Sequence, residues 1–130
     1  MKIIGIGVDL IENKRIKSSI KNKKFIARMF GKNEILNVKK IIKKTSYFSK
    51  RFAAKEALVK AIGTGFRNGL NFKDIQILNN KMGKPYYVIN SKLKSFKKKK
   101  KKVKNFNLFL SISDEKEYSI AFTVIQTSKW

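Results

Sequence analysis

Apolar and polar positions divide the first third of the chain into a strand and a helical region. Ile3 to Leu10 is an apolar run of strand length that contains two glycines. From Ile11 to Phe30 the apolar residues recur at helical spacing until Gly31 interrupts the pattern, and a second helical stretch covers about Asn33 to Lys43. We therefore expect one N-terminal strand followed by a helical middle.

The helix with the clearest boundaries lies in the centre of the chain. Thr45 and Ser46 are residue types that favour the N-cap position, and the helical pattern after them continues to Ile62. Gly63 stands where a left-handed C-terminal cap is expected. The pattern therefore predicts one long helix between these two boundaries.

The remainder of the chain has the period-two alternation of strands, interrupted by a helical stretch from Ser91 to about Lys100. The strand-like segments are Asp74 to Leu78, Tyr86 to Ile89, Phe106 to Ser113 and Tyr118 to Ile125. This order predicts an α+β fold, in which a mostly antiparallel sheet packs against a long central helix and shorter helices. With no internal repeat or linker in the sequence, we expect a single domain over residues 1–130.

The composition excludes several kinds of catalytic site. The 130 residues include no cysteine and no histidine, which excludes thiolate chemistry, Ser-His-Asp triads and imidazole zinc sites. An enzyme of this composition has to use carboxylates, lysines, hydroxyls or a hard metal ion. The apolar run before Asp9 is too short for a signal peptide or a membrane span, so we expect a cytoplasmic protein with no membrane contact.

The formal net charge of +24 is typical of nucleic-acid binders. Of the 32 basic residues 28 are lysine, and isoleucine, asparagine and phenylalanine, which share A/T-rich codons with lysine, are also abundant. We favour codon bias at tolerant surface positions as the cause, including for the run Lys97 to Lys102. The alternation in the last strands predicts that aromatic residues such as Phe122 face a core, so we expect no nucleic-acid partner.

Two carboxylates are candidates for catalysis. Asp9 ends the first apolar strand, and Glu56 lies among alanines in the central helix. Each has an ordinary alternative: Asp9 as a helix cap, and Glu56 as an ion pair with Lys60 one turn later. Together they match what a protein usually supplies to a magnesium ion, which is one or two carboxylates beside substrate phosphates.

Cations and glycines close to Glu56 favour a phosphate ligand. Arg51, Lys55 and Lys60 are side chains of the kind that hold phosphate oxygens. The tripeptide Gly63-Thr64-Gly65 either only ends the helix or lets the backbone approach a ligand closely. The residues alone leave both explanations open.

Long motifs in a fixed order make the sequence similar to a known family. GIGVDLIENKRI (5–16) and RFAAKEALVKAIGTG (51–65) resemble two signatures of the holo-(acyl carrier protein) synthases, and GFRNGLNFKDIQI (65–77), MGKPY (82–86) and SISDEKEYSIA (111–121) follow in family order. The resemblance covers about Ile3 to Ile125 and fits the short bacterial 4′-phosphopantetheinyl transferases. It implies transfer of the phosphopantetheine arm of coenzyme A to a serine of apo-acyl carrier protein, with release of adenosine 3′,5′-bisphosphate, in support of fatty acid biosynthesis.

The resemblance also implies roles for individual residues. It gives Asp9 and Glu56 as magnesium ligands and, with Lys60, as catalytic residues. Its coenzyme A contacts fall on Arg51, Lys55, Lys60, Gly63, Thr64, Gly83, Lys84 and Pro85. Asp114 stands where many relatives have histidine, so a cationic contact from that position is not expected. The serine proton could leave through Glu56 or through a magnesium-bound water, and the sequence does not decide between them.

The resemblance further implies a homotrimer with a coenzyme A site at each subunit interface. Regular spacing of basic residues suggests a carrier-docking face, and the family pattern adds two neighbours: the candidates are Lys14, Arg15, Ile16, Lys17, Lys21, Lys24 and Arg28. The spacing is equally consistent with a solvated face enlarged by codon bias, and it needs a helix that continues through Asn22. A homologue that has lost the chemistry is the other alternative, and the presence of both Asp9 and Glu56 argues against it.

Overall fold

The computed structural model of the chain describes residues 2–63, 71–88 and 106–127. In chain order its elements are β1 (Lys2–Glu12), α1 (Asn13–Ser19), α2 (Lys23–Met29), α3 (Lys32–Asn37), a 3₁₀ turn (Val38–Lys40), α4 (Lys44–Ile62), a second 3₁₀ turn (Phe72–Asp74), β2 (Gln76–Asn79), β3 (Pro85–Val88), β4 (Phe106–Asp114) and β5 (Tyr118–Thr127). The predicted helix from Ser91 to Lys100 and the lysine run lie outside these residues. None of the described helices is long and apolar enough to cross a membrane.

The strands form two antiparallel sheets. β5 is the central strand of a three-stranded sheet with the order β1-β5-β4, and β2 pairs with β3 as a separate hairpin. The register places Asp9 opposite Ala121 and places Asp114, at the end of β4, opposite Ser119. The predicted α+β fold, with antiparallel strands against a long central helix, is confirmed.

Helix α4 lies at the centre of the core because its buried face carries small side chains. Ala53, Ala54 and Ala57 are fully buried. A Cβ atom on Gly7 of β1 would overlap the carbonyl oxygen of Ala57, and one on Gly5 would overlap that of Ala61. The two glycines therefore let β1 lie directly on the helix backbone, which brings the end of β1 beside the last turns of α4.

The helical middle differs from the predicted pattern in two places. Ile11 still belongs to β1, and the rest of the stretch to Phe30 forms two helices instead of one. Asn22 caps the second of them, since its Oδ1 accepts from the Lys24 amide at 2.9 Å. Helix α4 begins at Lys44 after an N-cap residue that makes no side-chain cap bond, so the predicted caps Thr45 and Ser46 are wrong. The predicted C-terminal cap is confirmed, since Gly63 has a left-handed φ of 81°.

The faces of β5 are opposite to the prediction. Ser119, Ala121 and Thr123 point into the core, whereas Phe122 is 44% exposed and Ile120 is 39% exposed. Ser119, Ala121 and Thr123 are small side chains on the face that lies against α4, and the larger Ile120 and Phe122 lie on the outer face. The expectation that these aromatic residues enter a core is therefore wrong.

Candidate active site

The first group of reactive side chains lies where β1 meets α4. Lys60 donates from Nζ to the carbonyl oxygen of Val8 at 3.0 Å and to Asp9 Oδ1 at 3.1 Å. The N-cap residue of α1 is Glu12, so Asp9 does not have the capping role that was its ordinary alternative. The Asp9 carboxylate is instead held at the end of the strand by a cation of the helix.

Glu56 is half-buried and belongs to the same group. Burial raises the pKa of the Glu56 carboxyl, the negative charge of Asp9 raises it further, and Lys60 and Arg15 oppose these effects. Within the described ranges no ion pair joins Lys60 to Glu56, so the ordinary i to i+4 pair is not formed. Two carboxylates that repel each other in a partly desolvated place favour a bound cation.

The donor set fits a magnesium ion that is shared with a substrate. Such an ion usually takes one or two carboxylates from the protein and fills its other positions with water and phosphate oxygens. Asp9 and Glu56 supply two carboxylates. The described part of the chain contains no group of three or more histidine, cysteine, aspartate or glutamate side chains that could hold a metal without a substrate.

A second group of side chains lines a cavity of about 730 Å³ beside the first half of α4. Its lining includes three cations, one carboxylate and two turn residues that could contact a ligand: Lys43, Lys50, Arg51, Asp114, Gly83 and Pro85. Asp9, Glu56 and Lys60 do not line this cavity. The structure thus brings Arg51 together with Gly83 and Pro85, and it separates them from the carboxylate pair.

Arg51 is the most firmly anchored cation of the cavity. Its guanidinium lies 3.7 Å from the centre of the Tyr47 ring, and Nη2 donates to Asn79 Oδ1 at 2.6 Å. Burial lowers the pKa of Arg51, although a guanidinium keeps its charge at neutral pH. No acceptor among the described residues reaches its buried Nε, so the guanidinium is not fully paired inside the protein.

The turn between β2 and β3 is held by hydrogen bonds to the side chain of Asn80. Gly83 has a φ of 86°, which favours glycine, and Asn80 Oδ1 accepts from the Met82 and Lys84 amides at 2.9 Å each. The turn presents Gly83 and Pro85 to the cavity, whereas Lys84 is exposed and is not part of the lining. The predicted ligand contact of Lys84 stays a prediction.

Lys55 has a structural position that the sequence did not suggest. It is fully buried, and its ammonium donates to Glu34 Oε1 at 2.6 Å, to the carbonyl oxygen of Phe72 at 2.9 Å and to that of Ile75. Burial lowers the pKa of Lys55 to about 8, against the charge of Glu34. Because all three hydrogens are used inside the core, we correct the prediction that Lys55 contacts a ligand.

The tripeptide after α4 is only partly described. The Gly63 amide donates to the carbonyl oxygen of Val59 at 3.0 Å, which is the bond expected of a helix end. Thr64 and Gly65 lie outside the described residues. The predicted ligand contacts of Gly63 and Thr64 therefore stay predictions.

The candidate docking residues lie on two helices. Lys14, Arg15 and Lys17 belong to α1, Lys24 and Arg28 belong to α2, Lys21 lies in the link, and all six are exposed. The break between the helices rules out one continuous stripe. Ile16 is 2% exposed and packs in the core, so we correct the prediction that it contacts a carrier.

Sequence reasoning missed the residues that hold Arg51 and Lys55. An aromatic residue one turn before an arginine is a detectable pattern, and Tyr47 has that spacing. Asn79 follows a strand-like segment and carries no local pattern that links it to Arg51. Glu34 lies 21 positions before Lys55, and no local pattern links two charges over that distance.

Comparisons with known proteins show the family of the chain. The family model of the 4′-phosphopantetheinyl transferase superfamily matches residues 5–123. A holo-[acyl-carrier-protein] synthase of Pelagibacter ubique is 60% identical over 97% of this chain and 98% of its own.

Solved structures extend the similarity to the fold. The holo-[acyl-carrier-protein] synthase of Neisseria meningitidis is 34% identical, with a TM-score of 0.87 over 97% of this chain and 100% of its own. A Bacillus anthracis holo-(acyl-carrier-protein) synthase in complex with CoA (3′,5′-ADP) is also 34% identical, with a TM-score of 0.80 over 97% and 98% of the two chains. From its sequence and its fold, the chain belongs to the 4′-phosphopantetheinyl transferase superfamily.

Proposed function

We propose that the protein transfers the 4′-phosphopantetheine arm of coenzyme A to a serine of apo-acyl carrier protein, as a magnesium-dependent holo-(acyl carrier protein) synthase. The observation that carries the proposal is the carboxylate pair, Asp9 and Glu56, held beside Lys60 where β1 packs on α4. Family membership and the coenzyme A bound by the Bacillus anthracis relative support the choice of substrate.

Asp9 and Glu56 are the residues that would hold the magnesium ion, which when bound neutralises charge on the phosphates of coenzyme A. Lys60 is more exposed than Asp9, and it can turn from the aspartate towards a phosphate oxygen without leaving the site. These charges position the pyrophosphate for in-line attack, which is most of what phosphoryl transfer requires of a protein.

The serine oxygen of the carrier attacks the phosphorus next to the pantetheine arm. A new P–O bond forms, the bond to the bridging oxygen of the pyrophosphate breaks, and adenosine 3′,5′-bisphosphate leaves with that oxygen. We propose Glu56, the half-buried carboxylate of the pair, as the group that takes the serine proton.

The Arg51 cavity is suited to the nucleotide end of coenzyme A. Lys43, Lys50 and Arg51 supply positive charge for phosphates, and Gly83 and Pro85 provide a turn without a large side chain. Asp114 is the acidic residue that lines this cavity, and its carboxylate accepts a hydrogen bond from Ser46 Oγ at 2.8 Å. We infer that this carboxylate faces hydroxyl or amino groups of the nucleotide, since it would repel phosphate.

We infer that the active protein is a homotrimer with a site at each subunit interface. The outer face of the three-stranded sheet carries apolar rows, in which Val8 pairs with Phe122 and Leu10 pairs with Ile120. These residues are between 39% and 61% exposed, which is unusual for a face that stays in water. Burial against other copies would cover this face and bring the carboxylate pair of one subunit towards the Arg51 cavity of the next.

Carrier docking is proposed for the basic face of α1 and α2, with Lys14, Arg15, Lys21, Lys24 and Arg28. Arg15 is close enough to Glu56 to lower the pKa of its carboxyl. A carrier held there by an acidic helix would present its serine near the carboxylate pair. Opposite charge also speeds the encounter of the two proteins.

Incubation with apo-acyl carrier protein, coenzyme A and magnesium tests the proposed reaction. The carrier should gain the mass of one phosphopantetheine group, and adenosine 3′,5′-bisphosphate should appear in equal amount. A chelator should stop both changes and added magnesium should restore them. A trimeric, folded protein that leaves the carrier unmodified under these conditions would contradict the proposal.

The outer face of the three-stranded sheet tests the alternative function, nucleic-acid binding. Phe109, Tyr118 and Phe122 are exposed there, as that interpretation requires. The cross-strand neighbours of Phe122 are Val8 and Ser111, and those of Ile120 are Leu10 and Ser113. Because these neighbours carry no positive charge for a phosphate backbone, the face favours contact between subunits.

A further inference from the structure

Asn79 connects two parts of the cavity that come from separate elements. Its Oδ1 accepts from Arg51 Nη2 on α4 at 2.6 Å, and its Nδ2 donates to the carbonyl oxygen of Gly83 in the β2–β3 turn at 2.9 Å. One side-chain amide is thus bonded both to the best-anchored cation and to the turn on another wall of the cavity.

Of the two hydrogen bonds that the Arg51 guanidinium makes to described residues, the one to Asn79 is the shorter. The distance from Arg51 Nη1 to the carbonyl oxygen of Tyr47 is 3.5 Å, which is too long for a strong hydrogen bond. The Tyr47 ring centre lies 3.7 Å from Arg51 Cζ and offers no directional hydrogen bond to the guanidinium nitrogens. Asn79 therefore sets the direction of the remaining donors of Arg51.

An amide is the side chain that suits this place. It can accept from a guanidinium and donate to a carbonyl oxygen at the same time. An aspartate would keep the first bond, lose the second and neutralise the positive charge that a phosphate needs. An alanine would lose both bonds and leave the turn without its link to α4.

We propose that Asn79 is a positioning residue for nucleotide binding, which holds the Arg51 guanidinium and the Gly83 turn as one unit for the adenosine and phosphate end of coenzyme A. The inference rests on the proposed function, because it takes Arg51 as a ligand of that nucleotide. It adds a residue that acts through Arg51 and touches no reacting atom.

Calorimetric titration with adenosine 3′,5′-bisphosphate, together with steady-state kinetics, tests this role. Asn79→Ala should raise the Kd of the bisphosphate and the KM for coenzyme A roughly tenfold, as for one lost hydrogen bond to a charged group. The KM for the carrier should change by less than about twofold, since the carrier docks elsewhere. Asn79→Asp should raise the Kd of the bisphosphate at least as much, because the new carboxylate would pair with Arg51 and neutralise the charge that binds phosphate.

A double-mutant cycle separates positioning from a general loss of structure. In the Arg51→Ala background, Asn79→Ala should cause no further loss of bisphosphate affinity, because the two residues act as one network. Ile77→Val is the matched control in the same strand; it should lower the Tm and leave the Kd unchanged. Additive losses, or an Asn79→Ala protein with the parent Kd, would overturn the inference.

The outcomes also distinguish this inference from the proposed function. A parent protein that does not consume coenzyme A would overturn the function. A parent that is active and loses affinity with Arg51→Ala, but not with Asn79→Ala, would overturn only the role of Asn79.

Discussion

A Cβ atom on Gly7 would overlap the carbonyl oxygen of Ala57, so strand and helix backbones touch at this point with no side chain between them. Asp9 follows Gly7 on the same face of β1, since residues two apart in a strand point the same way. The contact therefore sets the distance at which Lys60 of α4 reaches the Asp9 carboxylate.

We expect Gly7→Ala to damage both stability and the site. The added methyl has to push β1 away from α4, and overpacking of this kind costs about 1–3 kcal/mol. Urea unfolding should show that loss, and transfer activity should fall further than the folded fraction does. Lys39→Ala, at an exposed position, should change the stability by no more than about 0.5 kcal/mol. A Gly7→Ala protein with parent stability would show that the contact is not tight.

Asp9→Asn and Glu56→Gln should each fold and lose most transfer activity. Each change removes a charged oxygen from the proposed magnesium site, so the magnesium concentration needed for half-maximal rate should rise. Rates measured over a magnesium series check this. Turnover close to the parent value at limiting magnesium would remove these residues from the site.

The raised pKa of Glu56 also predicts a pH effect on stability in the absence of magnesium. The folded chain keeps the Glu56 proton to a higher pH than the unfolded chain, so this contribution to stability falls as pH rises from about 4.3 through the raised folded value. Melting of the parent and of Glu56→Gln from about pH 4 to 8 checks the sign. The parent should lose stability relative to the variant as pH increases, and the opposite trend would contradict the burial of this carboxyl.

Lys55→Met distinguishes a core ion pair from a ligand contact. Removing one partner of a buried pair leaves Glu34 without its counter-charge, and such changes cost about 3–5 kcal/mol. Chemical denaturation measures the loss, and Lys39→Met at an exposed position serves as the control. A Lys55→Met variant with parent stability and a raised KM for coenzyme A would instead show that Lys55 contacts the ligand.

Light scattering should give three chains per particle for the parent protein. Phe122→Glu puts a charge at the centre of the apolar outer face, so we expect single chains that keep their circular dichroism and lose activity. Ile42→Glu is a matched control, because Ile42 is 97% exposed and lies outside the strands. A parent that is active as a monomer would contradict the interface sites.

Arg15→Glu should raise the KM for the carrier more than the KM for coenzyme A, and carrier affinity should fall with added salt. Because Arg15 also affects the pKa of Glu56, Lys24→Glu on α2 provides a second variant away from the carboxylate pair. Initial rates with each substrate varied in turn measure both constants. Equal effects on the two substrates would indicate that this face does not dock the carrier.

Much of the fold could be predicted because local patterns determine it. The apolar run of β1, the helical pattern that ends at Gly63 and the alternation of β4 and β5 all correspond to observed elements. Alternation shows which residues share a face, but it does not show which face is covered. That depends on the packing of α4 against β5, where the inner residues are Ser119, Ala121 and Thr123.

The site was predicted in part for a similar reason. Asp9 and Glu56 were recognised by residue type and motif, and the packing of β1 on α4 brings them together. The charge of Lys55 gave no sign of burial, because its partner Glu34 comes from another helix. Nothing in the sequence pointed to Asn79 either, because its bond to Arg51 joins residues 28 positions apart.

The two halves of the proposed site are carried by one helix. Arg51 and Glu56 are five positions apart on α4, which places them roughly 140° apart around its axis. In a ring of three, each copy of α4 would then serve two neighbouring catalytic centres, one with each face. Arg51→Ala and Glu56→Gln chains, each with reduced activity alone, would recover activity when assembled together, because some junctions would join two intact faces.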